Sequence, residues 1–505
     1  MRRPSTLAAV FGATALTAAL AAPAFADKPA DTSELREAVT VEGVREHQAA
    51  LQAIADANDG TRASGTSGYD ASADYVAGVL ESAGYDVTRQ EFVFDLFRQE
   101  GASTLTLDPA GPSEPYVDGE DFIVMEYSGN GTVTGALQAV DVTLPPPAQS
   151  GSTSGCEAAD FAGFTAGNIA VMQRGTCTFR EKTDNAEAAG AVGAIIFNEG
   201  QEGRTELLSG TLGQPQTGIP VLGTTFTLGE ELVAAEGASA TIGTDVSVTE
   251  DIPTQNVIAQ STWGRTDRTV MAGAHLDSVL EGPGINDNGS GTGAILETAE
   301  QLAAQGETEN AVRFAFWGAE ESGLLGSQHY VDSLTARERK NIALYLNFDM
   351  VGSPNFVRFV YDGDGSSFGV SGPTGSKHIE ATFNDYFASQ GLESEPTQFD
   401  GRSDYDAFIT AGIPAGGLFT GAEGVKTAEQ AAVYGGTAGA AYDPCYHAAC
   451  DTYDNVSIEG LDQMSDAVAH ATLLYAETES AVNGTGKGSS GSAYNPQMQG
   501  THQMR

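Results

Sequence analysis

Between about residues 254 and 479, short apolar runs alternate with stretches of helical periodicity. The apolar runs include "RTVMAGAHLDS", "VRFAFWG" and "ALYLNFDMVGS", and the helical stretches include "GAILETAEQLAAQ". This alternation predicts helices packed over a mainly parallel sheet whose strands are buried on both faces. We therefore expect an α/β fold of three layers, with a mainly parallel or mixed sheet flanked by helices. In such sheets ligands bind beyond the carboxyl ends of the strands.

The chain before this region has two parts that differ in composition and in hydrophobic periodicity. Apolar residues recur at helical spacing from residue 36 to residue 85, and "YDVTRQEFVF" then alternates like a strand. Residues 98–252 are rich in Gly, Thr and Ser, and "NIAVMQRG", "TFREKTDNAEAAGAVG" and "AIIFNEG" predict a compact β-α-β unit. The 505 residues also exceed the size of one typical domain. We expect one domain, residues 36–97 and 253–480, interrupted by a β-rich insert at 98–252.

The two ends of the chain have the composition of segments outside a folded domain. Residues 1–26 combine two early arginines, an Ala/Leu-rich stretch and a final Ala-Phe-Ala, which is typical of a secretory signal peptide. Residues 27–35 look like a short polar leader, and 481–505 form a low-complexity tail that we expect to be disordered. No later segment has ~18 uninterrupted apolar residues, so no membrane helix is expected. The sequence predicts a secreted, extracellular protein.

The four cysteines can pair in an extracellular protein. Cys445 and Cys450 lie close together in the sequence, and Cys156 and Cys177 share another region. Two local disulfides are the simplest of the three possible connectivities.

The charge of the chain limits its partners. Sixty-eight acidic residues against 24 basic ones give a formal net charge of −44, spread along the sequence. Such a surface repels nucleic acid and anionic membranes. We expect neither as a partner, and we expect a monomer.

Several predicted strands end in side chains that can bind metals. These strand ends lie in "GAHLDS", "FWGAEESGLLGS" and "LNFDM". Further residues of this kind lie in the glycine-rich loop "GINDNGSG", which precedes a helix, and in the cysteine-bounded loop "CYHAAC". One such residue alone is more often a cap or a packing residue, but the carboxyl ends of neighbouring strands lie along the same edge of the sheet. The residues concerned are His275, Asp277, Asp287, Glu320, Glu321, Asp349 and His447.

This set of side chains suits a pair of zinc ions. His and carboxylate ligands bind zinc, and two zinc ions held ~3.5–4 Å apart need a carboxylate between them to offset their repulsion. A carboxylate that is not a ligand must then accept the proton of the attacking water. The adjacent Glu320 and Glu321 can divide these two tasks.

The same motifs, together with "GRSD" and "CYHAACD", resemble in order and spacing the secreted bacterial di-zinc aminopeptidases of metallopeptidase family M28. The segment "GC…DF…NIAVMQRGTCTFREKTDNAEAAGAVGAIIFNEG" resembles a protease-associated (PA) domain. The resemblance implies a zinc-peptidase fold with an inserted β-rich PA domain. It also implies removal of N-terminal residues from peptides or proteins, with two zinc ions per chain.

The resemblance assigns the metal ligands by residue. His275 and Asp349 would bind one zinc ion, Glu321 and His447 would bind the other, and Asp287 would bridge both.

It also assigns residues around the metals. Glu320 would be the general base, Asp277 would orient His275, and Tyr446 would stabilise the oxyanion of the substrate.

Substrate contacts are implied by the same comparison. Arg402 would fix the substrate backbone, and Met350 and Phe419 would line an apolar pocket for a large, Leu-like first side chain. Some relatives have His where this chain has Tyr405. Others bind calcium on their last helix, where Asp462 and Asp466 provide a possible calcium pair.

Two other functions remain open from the sequence. One is a carboxypeptidase-like or glutaminyl-cyclase-like enzyme of the same fold, which needs a different pocket. The other is a non-catalytic peptide-binding receptor, which the complete ligand set disfavours.

Overall fold

The computed structural model describes residues 30–108, 115–148, 150–201, 204–477 and residue 482. The predicted signal peptide lies outside the described residues, as does the predicted tail apart from Val482. Within them, the helices are α1 Ser33–Ala38, α2 Val41–Ala57, α3 Ser67–Ser82, α4 Phe179–Ala188, α5 Phe226–Ala234, α6 Gly289–Gln305, α7 Leu325–Ser333, α8 Ala336–Asn341, α9 Ser376–Ser389, α10 Tyr405–Thr410, α11 Ala428–Tyr434 and α12 Ile458–Glu477. The strands are β1 Asp86–Asp108, β2 Phe122–Val124, β3 Gly131–Ala139, β4 Ile169–Gln173, β5 Gly193–Phe197, β6 Val221–Thr224, β7 Ser239–Gln260, β8 Arg265–His275, β9 Asn310–Trp317, β10 Ile342–Phe348, β11 Phe359–Tyr361, β12 Glu395–Thr397 and β13 Ala415–Phe419.

These strands form one mixed sheet in the order β12-β11-β13-β10-β8-β9-β7-β3-β4-β5-β6-β2, with β1 paired to β7. Strands β13, β10, β8 and β9 are parallel neighbours, as the alternating sequence predicts. Their carboxyl ends therefore lie along one edge of the sheet.

The two faces of the parallel strands are buried under different helices. Val270 and Ala272 of β8 belong to a large core with residues of α2, α3, α6 and α12. The intervening Met271 belongs to a second core, with Tyr330 of α7 and Phe408 of α10. This two-residue alternation explains why the strands read as continuous apolar runs.

The insert repeats this design on a smaller scale. Strands β4, β5 and β6 are parallel, and α4 connects β4 to β5 as the predicted β-α-β unit. One face of these strands packs against Phe179 of α4, and the other packs against Leu228 of α5. The insert therefore has hydrophobic cores of its own.

Two long antiparallel strands join the insert to the rest of the chain. The pairing of β1 with β7 runs from Asp86↔Gln260 to Asp108↔Ser239, with irregularities between residues 94 and 104. The domain boundaries predicted at residues 97/98 and 252/253 fall inside these strands. The composition of the sequence changes at these positions, but the backbone pairing of β1 with β7 continues across them.

Three further predictions concern the polar leader, the disulfides and the absence of a membrane helix. Helix α1 begins at Ser33 and Leu35 is fully buried, so the predicted polar leader is in part a packed helix. Disulfides join Cys156 to Cys177 and Cys445 to Cys450, which confirms the local pairing. None of the described helices has the length and hydropathy needed to span a membrane.

Candidate metal centre

Three adjacent parallel strands bring the predicted ligands together. His275 is the last residue of β8, Asp349 directly follows β10, and Glu320 and Glu321 follow β9 after a short turn. Asp287 lies just before α6, whose first turn is capped by the Asn288 side chain accepting from Gly291 N–H. The sheet order β10-β8-β9 therefore clusters residues that are far apart in sequence.

The two histidines face the two oxygens of one carboxylate. His275 Nε2 lies 3.1 Å from Asp287 Oδ1 and 3.2 Å from Asp349 Oδ1. His447 Nε2 lies 3.3 Å from Asp287 Oδ2 and 3.0 Å from Glu321 Oε2. Each half of the site thus has one imidazole and two carboxylate oxygens, and Asp287 is shared.

These spacings fit a pair of zinc ions. Ligand atoms ~2.0–2.2 Å from a tetrahedral zinc ion lie ~3.3–3.6 Å from each other, close to the distances between the imidazole and carboxylate atoms here. Glu321 Oε1 is buried and has no hydrogen-bond partner among the described residues. An unpaired buried carboxylate oxygen is unfavourable unless a cation or a donor approaches it. The N/O donor set also matches the preference of zinc.

The electrostatics of the site favour cations. Burial raises the pKa of Asp287, but His275 and His447 outweigh burial and hold the pKa well below its usual range. Burial raises the pKa of Glu321 to about 8, assisted by the negative charge of Asp287 and opposed by His447. Crowded carboxylates in a water-poor site repel each other, and divalent cations would relieve that repulsion.

Asp277 connects the end of β8 to the glutamate pair. Its backbone carbonyl lies 3.1 Å from His275 Nδ1, whereas its carboxylate Oδ1 is 3.7 Å away. The carboxylate instead accepts from the backbone N–H groups of Glu320 and Glu321, at 3.3 and 3.4 Å. The predicted orientation of His275 therefore comes from the backbone oxygen of Asp277, and the side chain positions the two glutamates.

The turn that carries the glutamates requires its glycine. A Cβ on Gly318 would lie 2.5 Å from the Tyr69 hydroxyl oxygen and 2.7 Å from the Gln255 carbonyl oxygen. Beyond it, Ala319 has a positive φ of 51°, and its N–H donates to Ser64 Oγ at 2.7 Å. The strand can therefore end abruptly and direct Glu320, which is only 5% exposed, toward His275.

Sequence reasoning missed several supporting residues. Asp451 accepts from the backbone N–H groups of Asn286 and Asp287, both at 2.9 Å, and so fixes the loop of the bridging aspartate. Ser403 donates to Asp349 Oδ2 at 2.6 Å. Asp451 lies in the motif "CYHAACD" and Ser403 lies in "GRSD". Each is close in sequence to a predicted site residue, so the sequence did contain a signal for a role at the site. Asp404, the residue after Ser403, is also buried.

Tyr446 and Arg402 lie together at the exposed side of the site. Arg402 Nη2 donates to the Tyr446 hydroxyl at 3.3 Å, and Arg402 Nη1 forms an ion pair with Glu423 at 2.7 Å. The Tyr446 ring stacks on His447 with centroids 3.9 Å apart, and the His447 side chain is 41% exposed. Burial raises the pKa of Tyr446, so its hydroxyl stays protonated and can donate.

The remaining predicted substrate residues flank the same strand ends. Met350 is buried, and its N–H donates to Asn288 Oδ1 at 3.2 Å, next to the bridging aspartate. Phe419, at the end of β13, is half-buried and stacks on Phe359. The apolar pocket itself remains a prediction.

Tyr405 supports the loop of Arg402. Its buried hydroxyl donates to Asp400 Oδ1 and accepts from Gly401 N–H, both at 2.8 Å. The tyrosine therefore helps to position this loop.

The surroundings of Asp462 and Asp466, the predicted calcium pair, differ from those of the metal centre. The Tyr386 hydroxyl donates to Asp466 Oδ2 at 3.4 Å, and the Arg36 guanidinium lies 5.6 Å from the Tyr386 ring centroid. Burial and Asp462 raise the pKa of Asp466 to about 6, while Arg36 opposes this rise. Across the described ranges, neither aspartate belongs to a group of three metal-capable side chains. Calcium stays a prediction.

The insert borders the metal centre on two sides. A Cβ on Gly323, next to the glutamate pair, would lie 4.0 Å from a methyl of Thr211 in the insert. On the other side, burial together with the positive charges of Arg204 and Arg402 lowers the pKa of Arg174 in the insert to about 9. Both the glutamate loop and the Arg402 loop therefore have the insert as a neighbour.

Comparison with known proteins identifies both parts of the chain. The model of peptidase family M28 matches residues 256–472, and the model of the PA domain matches residues 133–232. An aminopeptidase from Pseudomonas aeruginosa is 50% identical over 84% of this chain and 78% of its own length. The chain belongs to peptidase family M28 and carries an inserted PA domain.

Other relatives agree with this assignment. A probable lipoprotein aminopeptidase, LpqL, from Mycobacterium tuberculosis is 45% identical over 89% of this chain and 88% of its own. The solved aminopeptidase from Aneurinibacillus sp. strain AM-1 is 27% identical, with a TM-score of 0.68 over 88% of this chain and 96% of that one.

Proposed function

We propose that the protein is a secreted di-zinc aminopeptidase that removes large apolar, Leu-like residues from the N-termini of peptides. The observation that carries this proposal is the pair of histidine–carboxylate half-sites that share Asp287. His275 and Asp349 would hold one ion, and His447 and Glu321 the other. Names of similar proteins, including aminopeptidases and leucine aminopeptidase 2 of Arthroderma otae, support the reaction and the side-chain preference.

Glu320 is the proposed general base. Bound zinc would polarise the scissile carbonyl and lower the pKa of water. Glu320, buried next to His275 and Glu321, accepts a proton from the attacking water and passes it to the leaving amine. General base catalysis contributes on the order of 10²–10⁴ to the rate.

Tyr446 and Arg402 complete the substrate site. The Tyr446 hydroxyl donates to the oxyanion that develops on the substrate carbonyl, and Arg402 holds that hydroxyl in place. The carboxylates of Glu320 and Asp349 create a negative field that favours the cationic α-amine of the substrate. A peptide bound through its amine presents its first carbonyl, so one residue is removed per cleavage.

Two observations support the remaining parts of the proposal. The predicted signal peptide favours export, and the relative LpqL, named a lipoprotein, makes membrane attachment the alternative to free release. The insert beside the glutamate and Arg402 loops favours short or unfolded peptides over folded proteins.

Product analysis of a short peptide tests the reaction against its alternatives. We expect the zinc-loaded protein to convert Leu-Gly-Gly into leucine and Gly-Gly, as detected by mass spectrometry. Release of the C-terminal glycine would instead identify a carboxypeptidase. A peptide with N-terminal glutamine is the control for cyclisation, which would appear as a loss of ammonia without chain cleavage.

A further inference from the structure

A second group of metal-capable side chains lies between α2 and α6. His47 Nε2 lies 3.4 Å from Glu297 Oε2 and 3.2 Å from Glu300 Oε2. The two glutamates stand ~12–17 Å along α6 from its first residue, Gly289, and therefore away from the end of the helix that faces the metal centre. His47 is 5% exposed, whereas the Glu300 side chain is 39% exposed and opens the group to solvent.

This group repeats the geometry of each half of the metal centre. In this group and in both halves of the metal centre, an imidazole Nε2 lies 3.0–3.4 Å from two carboxylate oxygens. These spacings are close to the ~3.3–3.6 Å edge of a zinc tetrahedron. His47 Nε2 is buried and has no hydrogen-bond partner among the described residues, despite the two nearby carboxylates. His47 Nε2 therefore points toward the two carboxylates, and its hydrogen-bonding capacity is unsatisfied within the described residues.

Neighbouring residues hold the group in place. The Tyr75 hydroxyl lies 2.8 Å from His47 Nδ1 and can accept its proton, which leaves the lone pair on Nε2. Gln301 Nε2 donates to Glu297 Oε1 at 3.0 Å. A Cβ on Gly43 would lie only 2.4 Å from the same oxygen, so the Glu297 carboxylate fits against α2 because residue 43 is glycine.

We propose that His47, Glu297 and Glu300 form a further zinc site that ties α2 to α6. A neutral imidazole and two carboxylates carry a charge of −2, which one divalent ion neutralises. A protonated imidazole would leave the buried group with a net charge of −1. The exposed side of Glu300 leaves room for water as the fourth ligand, as zinc sites with three protein ligands require.

Zinc and a proton compete for the same nitrogen. Burial lowers the pKa of His47, but the nearby carboxylates of Glu297 and Glu300 outweigh burial and raise the pKa above its ordinary value. Binding is therefore best measured at about pH 8, where the proton competes least.

The test is zinc content by elemental analysis, together with the melting temperature at low micromolar free zinc. We expect about three zinc ions per wild-type chain and about two in Glu300→Gln, with a smaller zinc-induced rise in melting temperature in the variant. Gly43→Ala should also lose the additional ion, because the new methyl displaces Glu297 while alanine favours the helix. Glu42→Gln, an exposed change of equal charge on α2, is the matched control and should keep all three.

Equal zinc content and equal stabilisation in wild type, Glu300→Gln and Gly43→Ala would overturn the proposed site. The result is independent of the proposed catalytic function, because none of these residues belongs to the metal centre. Leucine p-nitroanilide hydrolysis measured on the same samples reports on that function separately.

Discussion

At the scale of single residues, the proposed mechanism depends on different roles for the adjacent carboxylates of Glu320 and Glu321. Glu321 faces His447 at 3.0 Å, whereas Glu320 lies beside His275 and is assigned no metal. The carboxylate of Asp277 accepts from both backbone N–H groups and so fixes this arrangement. These neighbours in sequence can therefore serve different purposes, although carboxylate oxygens of the two lie within 4.8 Å of each other.

Glu320→Ala should separate chemistry from metal binding. Turnover should fall by ~10²–10⁴ because the general base is lost, while zinc content stays at the wild-type value. The measurement is kcat with leucine p-nitroanilide alongside elemental analysis of the same sample. His447→Ala is the comparison variant, and it should lose zinc as well as activity. Full activity in Glu320→Ala would contradict the proposed mechanism.

Tyr405→Phe should weaken the support of the Arg402 loop. The substitution removes one hydroxyl that bonds Asp400 and Gly401, which corresponds to about 1 kcal/mol per hydrogen bond. We expect a several-fold fall in kcat/KM with an unchanged zinc content, and a modestly lower free energy of unfolding in urea. Unaltered kinetics would show that the loop is positioned by other contacts.

At the scale of elements, short connections position the chemistry. The disulfide Cys445–Cys450 closes the loop that carries Tyr446 and His447, and His447 has a positive φ of 53°. The loop has no helix or strand to hold it, so the crosslink limits its conformations.

Replacing both cysteines of this loop by serine should lower the affinity for the zinc ion bound by His447. Competition with a chelator measures that affinity, and turnover should fall with it. The matched control replaces Cys156 and Cys177 in the insert, which should leave the affinity unchanged. Similar zinc affinity in both double variants would contradict a positioning role for the Cys445–Cys450 loop.

Helix α1 gives the fold a pH dependence. Thr32 Oγ1, next to α1, lies 2.7 Å from His470 Nδ1 on α12. Burial, with a further contribution from the positive charge of Arg36, lowers the pKa of His470 to about 4. A depressed histidine pKa means stability that is present above the unfolded value of ~6.5 and is lost as pH falls toward 4.

The free energy of unfolding should therefore fall between about pH 6.5 and pH 4 by on the order of 2 kcal/mol through this group. His470→Gln should flatten that part of the profile. Chemical unfolding of both proteins across this range, with equal zinc loading, measures the difference. Identical pH profiles would exclude His470 as the cause.

At the scale of the whole molecule, the sequence predicts the parallel sheet, the insert and the cluster of site residues because each has a local signal. Apolar runs mark β8, β9 and β10, and the candidate ligands follow their ends. The continuity of β1 with β7 has no such signal, because it depends on pairing between residues more than 130 positions apart. Asp451 does lie in the motif "CYHAACD", but its contact with the Asp287 loop exists only in the fold.

The proposed reaction is tested by the hydrolysis of leucine p-nitroanilide and of its N-acetylated form, each measured before chelation, after chelation and after zinc is added back. We expect cleavage of the free-amine substrate only, with activity lost on chelation and restored by zinc. Cleavage of the acetylated substrate, or no cleavage by protein that has two zinc ions bound at the metal centre, would contradict it.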